Sequence, residues 1–351
     1  LIGYGLYLPA QIICRRLQGA GIPSELYLVE RLFTEEKKKT FQASRHAFGK
    51  NFRLAQLAAR VPVDYHSSIS QTEAEGIYEI WRANNVTEFL CFSGLWLELL
   101  NGYVPPSGNK RIRCCRIDAG EAQTWANLKN VPIDHTYYFS DLPRKQINYT
   151  LSITGLQPVS YEARRREVVV HGGGWGLGNY VQKTEALKQA GYFRKIILNP
   201  VADLRQEQED QAAFFISDPE WDPLVNAADA GFPPLGAVGH EGIEYSYCKE
   251  HHPALSLVNE SKAVISKPGG MTLIDAIITE TPFIYLEAMG TNEEGNAVLI
   301  DHYGLGMPYE QWKDSGFSPK LLEECNRNIR KLKVGLPDFV DSYMRDLERD
   351  N

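Results

Sequence analysis

The residues richest in chemical content lie in one stretch, Ile265-Ser266-Lys267-Pro268-Gly269-Gly270-Met271-Thr272-Leu273-Ile274-Asp275-Ala276, followed by Thr281-Pro282 and by Asn292-Glu293-Glu294-Gly295-Asn296-Ala297. An apolar strand pattern over 263–265 runs into a Gly-Gly turn that opens a helix. Such a turn aims backbone N–H groups and the positive helix end at one point, which suits a diphosphate. Thr272 and Asp275 also carry the T-x-x-D spacing of a capping box, a sufficient structural reason for both. The two roles are compatible: the hydroxyl can bond a phosphate oxygen, and the carboxylate can accept from ribose hydroxyls.

A second glycine run, His171-Gly172-Gly173-Gly174-Trp175-Gly176-Leu177-Gly178, follows a strand pattern and precedes a helical one. It suits close approach of a phosphate or substrate, and equally a tight turn with close helix–strand packing. It matches G-x-G-x-x-G in no register, which disfavours a nicotinamide dehydrogenase. No D-x-D occurs to clamp a magnesium–diphosphate pair. His240, His251 and His252 lack metal-site spacing and read as surface or core histidines. Neither G-x-S-x-G nor a P-loop is present. The expectation is therefore no metal and no other cofactor.

Positioning such groups requires a sizeable scaffold, and 351 residues, 43% hydrophobic and 23% charged, suffice for two globular domains. A net charge of -7 and a pI near 5.7 offer no basic field for a nucleic-acid polymer. The six cysteines show no C-x-x-C spacing, which points to a reducing, cytoplasmic setting. No apolar run approaches the roughly 20 residues that cross a bilayer, and no leader pattern is evident. The chain starts at Leu1 inside a strand-like run, so a short native N-terminus is expected to precede it.

The first half alternates strand patterns (1–5, 24–29, 87–92, 111–117, 136–140) with helical ones (9–19, 34–60, 73–83, 95–100). Alternation of this kind argues an open parallel sheet in an α/β fold. Residues 149–166, with Gly155, Pro158 and the basic run Arg164-Arg165-Arg166, read as a connection. A second alternating set follows, with strands at 167–170, 195–199, 235–238, 263 and 282–286 and helices at 181–190, 245–260 and from 272. Ser318-Pro319 starts a helix, and another is expected near Pro337. The division is 1–153, an interdomain segment 154–166, 167–317, and terminal helices 318–351 packing back toward the first domain. The 34–60 block gathers Phe41, Phe48, Phe52, Ala55 and Ala59 on one face with Lys37, Lys38, Lys39, Lys50 and Arg53 around it. It is either a domain helix with a solvated basic side or a helix lying on an anionic membrane surface.

The stretch from Ser266 to Ala276, with Pro282, Asn292-Glu293 and Asn296-Ala297, resembles the donor-site signature of GT-B glycosyltransferases. By motif it is most similar to the diacylglycerol glucosyltransferases, the galactolipid synthases and the N-acetylglucosaminyltransferase that forms lipid II. Thr154-Gly155-Leu156-Gln157-Pro158-Val159 resembles their interdomain linker, and Gly3-x-Gly5 with Pro9-Ala10 their first glycine loop. The resemblance implies two Rossmann-like αβα domains facing a central cleft, with a nucleotide sugar, usually UDP-linked, held by the second. It implies Gly269, Gly270, Met271 and Thr272 at the diphosphate, Asp275 at the ribose, and Asn292 and Glu293 at the sugar; Lys267, in the same stretch, is a further donor-site candidate by its charge. Gly173, Gly174 and Trp175 belong to the matching glycine loop. Asp275 stands where the family more often has Glu, and Asn292 stands near its Gln.

Where family members commonly place a histidine in the first loop, this chain has Leu6. A base must then come from a strand-end loop on the first-domain side. Asp118, just after the 111–117 strand, is the first candidate, with Glu121 and His66 as alternatives; a solvated loop carboxylate is the plain structural reading. The acceptor, a small molecule or a lipid, is expected near 64–71, 94–107 and 118–125, where Trp96, Tyr103 and Trp125 could stack on it. Glu280 and Glu287 are seven apart, not the eight of a retaining pair, which favours inversion. Two other functions stay open: a nucleotide-sugar epimerase or hydrolase of the same fold, and a donor-binding subunit without a base.

Overall fold

The computed structural model describes residues 4–61, 68–126, 131–198, 211–223 and 231–350. The first half contains α1 (Tyr4–Gly19), α2 (Glu35–Lys50), α3 (Phe52–Ala58), α4 (Gln71–Ala83), β1 (Glu88–Cys91), α5 (Leu95–Gly102), β2 (Arg111–Arg116), α6 (Gln123–Ala126) and β3 (His135–Tyr138). A small hairpin, β4 (Ser140–Asp141) with β5 (Gln146–Ile147), closes it. Among the described residues β1, β2 and β3 form a parallel sheet in that order. β2 is buried on both faces: Cys114 joins the cluster around Trp81 and Tyr103, and Cys115 the one around Ile12 and Phe339. Its buried Arg113 pairs with Glu88 and lies 5.8 Å from the Tyr343 ring, so the charge is compensated.

The second half contains β6 (Glu167–His171), α7 (Tyr180–Lys183), β7 (Phe193–Leu198), β8 (Ala212–Ser217), β9 (Leu235–Gly239), β10 (Gly242–Ser246), α8 (Ala254–Glu260) and β11 (Ala263–Ser266). It continues with α9 (Gly270–Thr279), β12 (Phe283–Tyr285), α10 (Thr291–Tyr303), β13 (Gly306–Pro308), α11 (Tyr309–Asp314), α12 (Pro319–Val334) and α13 (Phe339–Asp350). Among the described residues its strands form one eight-stranded sheet in the order β10-β9-β8-β7-β6-β11-β12-β13, parallel except for the antiparallel pairs β8–β9 and β9–β10. Val168, Val169 and Val170 of β6 are fully buried, as expected for a central strand covered by helices on both faces.

Two connections join the halves. In the first, Arg164 is buried and donates to Val159 O, Ser261 O, Thr281 Oγ1 and Thr279 O. It therefore caps the negative end of α9 and anchors the segment. In the second, α12 packs Leu322 and Cys325 into the second-domain core, whereas α13 returns to the first domain. There Phe339 and Tyr343 pack on Tyr137, and Arg16 pairs with Asp338 and Asp341. The two connections bond to each other, Thr150 N–H to Pro337 O at 3.1 Å and Phe339 N–H to Thr150 O at 3.0 Å.

Several sequence expectations are corrected. The strand expected over 1–5 is not formed by Tyr4 and Gly5, which already belong to α1. This helix tolerates Pro9 in its body because Leu8, Ile12 and Ile13 bury against Met271, Ile274 and Ile278. Residues 24–29 alternate as a strand would, yet they pair with no strand among the described residues: Leu26 and Leu28 pack toward α1 while the Tyr27 ring meets Trp81. The 34–60 block is two helices, because Asn51 ends α2 and its Oδ1 accepts from Leu54 N–H to start α3. The helix expected over 245–260 is strand β10 followed by the shorter α8, and the one over 181–190 is only α7 and a 3-10 turn.

Candidate active site

All four residues of β11 are buried, and the chain leaves them through Lys267-Pro268 into Gly269, the extended N-cap of α9. Every residue of α9 is buried, so the helix end is held rigidly at the carboxyl edge of the sheet. The first intrahelical bond runs from Leu273 N–H to Gly269 O, which leaves the N–H groups of Gly270, Met271 and Thr272 outside the ladder. Thr272 is thus the third helical residue rather than the cap. The capping box expected from its spacing with Asp275 does not form, and both side chains line the cleft instead.

Gly270 N–H is taken by a group from the opposite domain, Asp118 Oδ1, at 2.9 Å. The same oxygen accepts from Asn296 Nδ2 at 2.7 Å, and Oδ2 accepts from Asn292 Nδ2 at 3.0 Å. Asn296, fully buried, returns the contact by accepting from Ala119 N–H at 2.8 Å. Burial pushes the Asp118 carboxyl above the usual range, against the lowering effect of these three donors. The approach depends on missing side chains: a Cβ on Gly120 would lie 2.3 Å from Thr291 O, and one on Gly270 would lie 2.7 Å from Asp118 Oδ1.

The glycine loop after β6 forms the neighbouring wall. Gly173 and Gly176 have φ of 73° and 60°, which side chains rarely adopt. Gly173 N–H donates to His171 Nδ1 at 3.2 Å, so the imidazole carries its proton on Nε2. Burial, then the nearby His252 and Lys267, pushes His171 down to about 3 and keeps it neutral. Lys267 Nζ lies beneath the loop and 2.5 Å from Glu293 Oε1, while Glu293 Oε2 accepts from Met289 N–H at 2.6 Å. Trp175 reaches across to the first domain, edge-on to Phe41 at 6.0 Å and stacked with Phe48 at 6.3 Å. Thus α2 covers the loop.

These walls enclose a cavity of about 770 Å³. Gly173, Gly174, Trp175, Lys267, Gly269, Gly270, Met271, Thr272, Asp275, Asn292 and Glu293 all line it, together with Asp118 and Leu6. Glu121 does not: its carboxylate is 60% exposed and pairs with Arg116 at 3.7 Å. His66 lies outside the described residues. Of the aromatic residues expected near an acceptor, Trp125 lines the cavity, whereas Trp96 and Tyr103 pack with the Trp81 cluster. Sequence reading missed His252, which is buried, lines the cavity and bonds Asp275 from 23 residues away; nothing local in the sequence signals that contact. His171 was legible as the last residue before the glycine run.

No family model matches the chain, and no curated protein matches it. Among solved structures it is similar to the spinosyn forosaminyltransferase SpnP, at 11% identity over 98% of this chain and 95% of that one, with a TM-score of 0.50. It is also similar to the glycosyltransferase SnogD of Streptomyces nogalater (12% identity, 98% and 96% covered, TM-score 0.49) and to MurG of Acinetobacter baumannii (12% identity, 99% and 97% covered, TM-score 0.47). At these identities the likeness is one of fold, two Rossmann-like domains facing a cleft. The chain has the GT-B fold.

Proposed function

We propose that this protein is an inverting glycosyltransferase that moves a sugar from a nucleotide diphosphate, UDP-linked by motif, to a hydroxyl of a small-molecule or lipid acceptor. The observation that carries the reading is the convergence on one cavity of the α9 N-terminus, Lys267 and the Asp275 carboxylate. Free N–H groups on Met271 and Thr272, the helix end and Lys267 form a cradle for a diphosphate, and Asp275 lies one turn deeper for the ribose. The motif resemblance to the lipid II, diacylglycerol and galactolipid enzymes supports the same placement.

In this mechanism Asp118 Oδ2, which takes a single donor among the described residues, accepts the proton of the acceptor hydroxyl. The hydroxyl oxygen bonds to the anomeric carbon as the bond from that carbon to the diphosphate oxygen breaks. Charge gathering on the departing diphosphate meets the N–H groups of Met271 and Thr272 and the Lys267 ammonium. A carboxyl raised by burial is a stronger base once ionised, which suits Asp118 to the task. Glu280 and Glu287 lie outside the cavity and pair with Lys333 and Lys183, so neither is placed to serve a retaining reaction.

We place the reaction in a reducing, cytoplasmic setting, consistent with six free cysteines. Among the described residues no helix is long and apolar enough to cross a membrane. Leu54, Leu57 and Val61 are exposed beside Lys50, Arg53 and Arg60, a surface suited to peripheral contact with anionic lipid. The primary test incubates metal-free protein with UDP- and dTDP-sugars, following thermal stabilisation and nucleotide release. Stabilisation by one UDP-sugar, lost in Thr272→Ala and Asp275→Ala, is the expected result. No stabilisation by any nucleotide sugar or by UDP would remove the basis for a transferase. Release without any acceptor would favour a hydrolase or epimerase, and tight binding with no product under any acceptor a binding subunit.

A further inference from the structure

Asp275 and His252 form a buried pair whose second member the proposed reaction does not use. His252 Nε2 lies 3.2 Å from Asp275 Oδ1, with the side chains 7% and 10% exposed. An ionised carboxylate only accepts, so Nε2 carries the proton. The main chain that carries the imidazole is anchored: His252 O accepts from Leu255 N–H at 3.0 Å and lies 2.9 Å from His251 Nδ1, and Pro253 follows as the N-cap of α8. Among the described residues no other group donates to the Asp275 carboxylate, although the residue lines the cavity. One donor on one oxygen restrains the carboxylate of this cavity-lining residue and leaves its other acceptor positions unused among the described residues. Asp275 stands three positions after Thr272, a rise of about 4.5 Å along α9. A group so placed reaches the sugar that follows a diphosphate bound at the helix end.

We infer that His252 is the positioning residue that aims Asp275 at the ribose diol of the donor, and that this pair sets the preference for a ribonucleotide over its 2′-deoxy form. The inference rests on the donor reading above. A buried carboxylate oriented to accept from a hydroxyl loses that bond when the hydroxyl is missing, which corresponds to roughly tenfold or more in affinity. An unoriented carboxylate makes no such distinction.

The test is titration calorimetry of the full chain with UDP and with 2′-deoxy-UDP, for the native protein, His252→Gln, His252→Ala and Asp275→Asn. Native protein is expected to bind UDP about tenfold more tightly than 2′-deoxy-UDP. His252→Ala should bring the ratio toward one by weakening UDP alone, and His252→Gln, whose amide can donate to the same oxygen, should restore it. Asp275→Asn should also abolish the ratio and reports on the pair even if His252→Ala does not fold. Equal weakening of both nucleotides by His252→Ala would mark a purely structural histidine and overturn the inference. So would an unchanged ratio, or a native protein that binds both nucleotides equally. A native protein that binds neither nucleotide would instead refute the donor reading beneath it.

Discussion

The wall of the cleft built by the second domain buries every residue of α9, whereas the facing wall is covered by α2, which buries none, and α3, which buries only Ala55. α9 packs into the interdomain core; α2 and α3 are tied to the second domain through Trp175, a Gln56–Ala288 hydrogen bond of 2.9 Å and a 4.0 Å Arg60–Glu294 pair. The contrast assigns different work to the two sides. The groups proposed to meet a diphosphate stand on a fully buried helix, which suits a fixed geometry. The cover formed by α2 and α3 has few buried contacts, so its local opening costs little.

The largest break in this contrast should come from the rigid wall. Lys267→Met leaves the buried Glu293 carboxylate with the Met289 N–H alone among the described residues, and a loss of about 3–5 kcal/mol is expected in urea unfolding. A loss within about 0.5 kcal/mol would show that this wall is not desolvated. Gly120→Ala inserts a methyl 2.3 Å from Thr291 O and should cost about 1–3 kcal/mol, with a larger radius in solution scattering as the domains part. An unchanged radius would mean that the interlock does not hold the cleft closed.

In its effect on stability, Asp118→Asn should act mainly through pH dependence. Burial holds the Asp118 carboxyl above its ordinary value of 3.8, so the folded state binds this proton more tightly than the unfolded chain does. Its contribution to stability is fully present below about pH 3.8 and is lost as pH rises through the raised folded value. The variant cannot ionise, and native-minus-variant stability should fall across that window when urea midpoints are compared at successive pH values. Parallel curves would place Asp118 in solvent. The smallest effect belongs to the cover: Leu54→Ser with Leu57→Ser should change stability by no more than about 0.5 kcal/mol. It should reduce sedimentation with anionic vesicles, and undiminished sedimentation would reject the lipid surface.

The same contrast governs what the sequence disclosed. The β11–α9 wall was legible as structure because its logic is local: a buried strand, a Gly-Gly turn and a helix occur within a dozen residues, and the groups singled out from them share one cavity. The N-terminal elements were not, because they are fixed by distant partners. Tyr4 to Leu6 read as part of a strand and a glycine loop and become helix only through the packing of α1 on α9. Residues 24–29 have strand alternation without a strand to pair with, since two cores claim their two faces. Asp118 was singled out from its place after a strand. Its three donors all come from the opposite domain, where no spacing rule reaches.

The pairing of Thr150 with the segment from Pro337 to Phe339 has a mechanical consequence. The backbone crosses between the domains twice, and because both crossings are bonded side by side they act as one pivot rather than two separate tethers. Widening of the cleft then becomes rotation about that strap. Displacement grows with distance from such an axis, so a small rotation at the strap becomes a larger opening where the two domains face each other across the cleft.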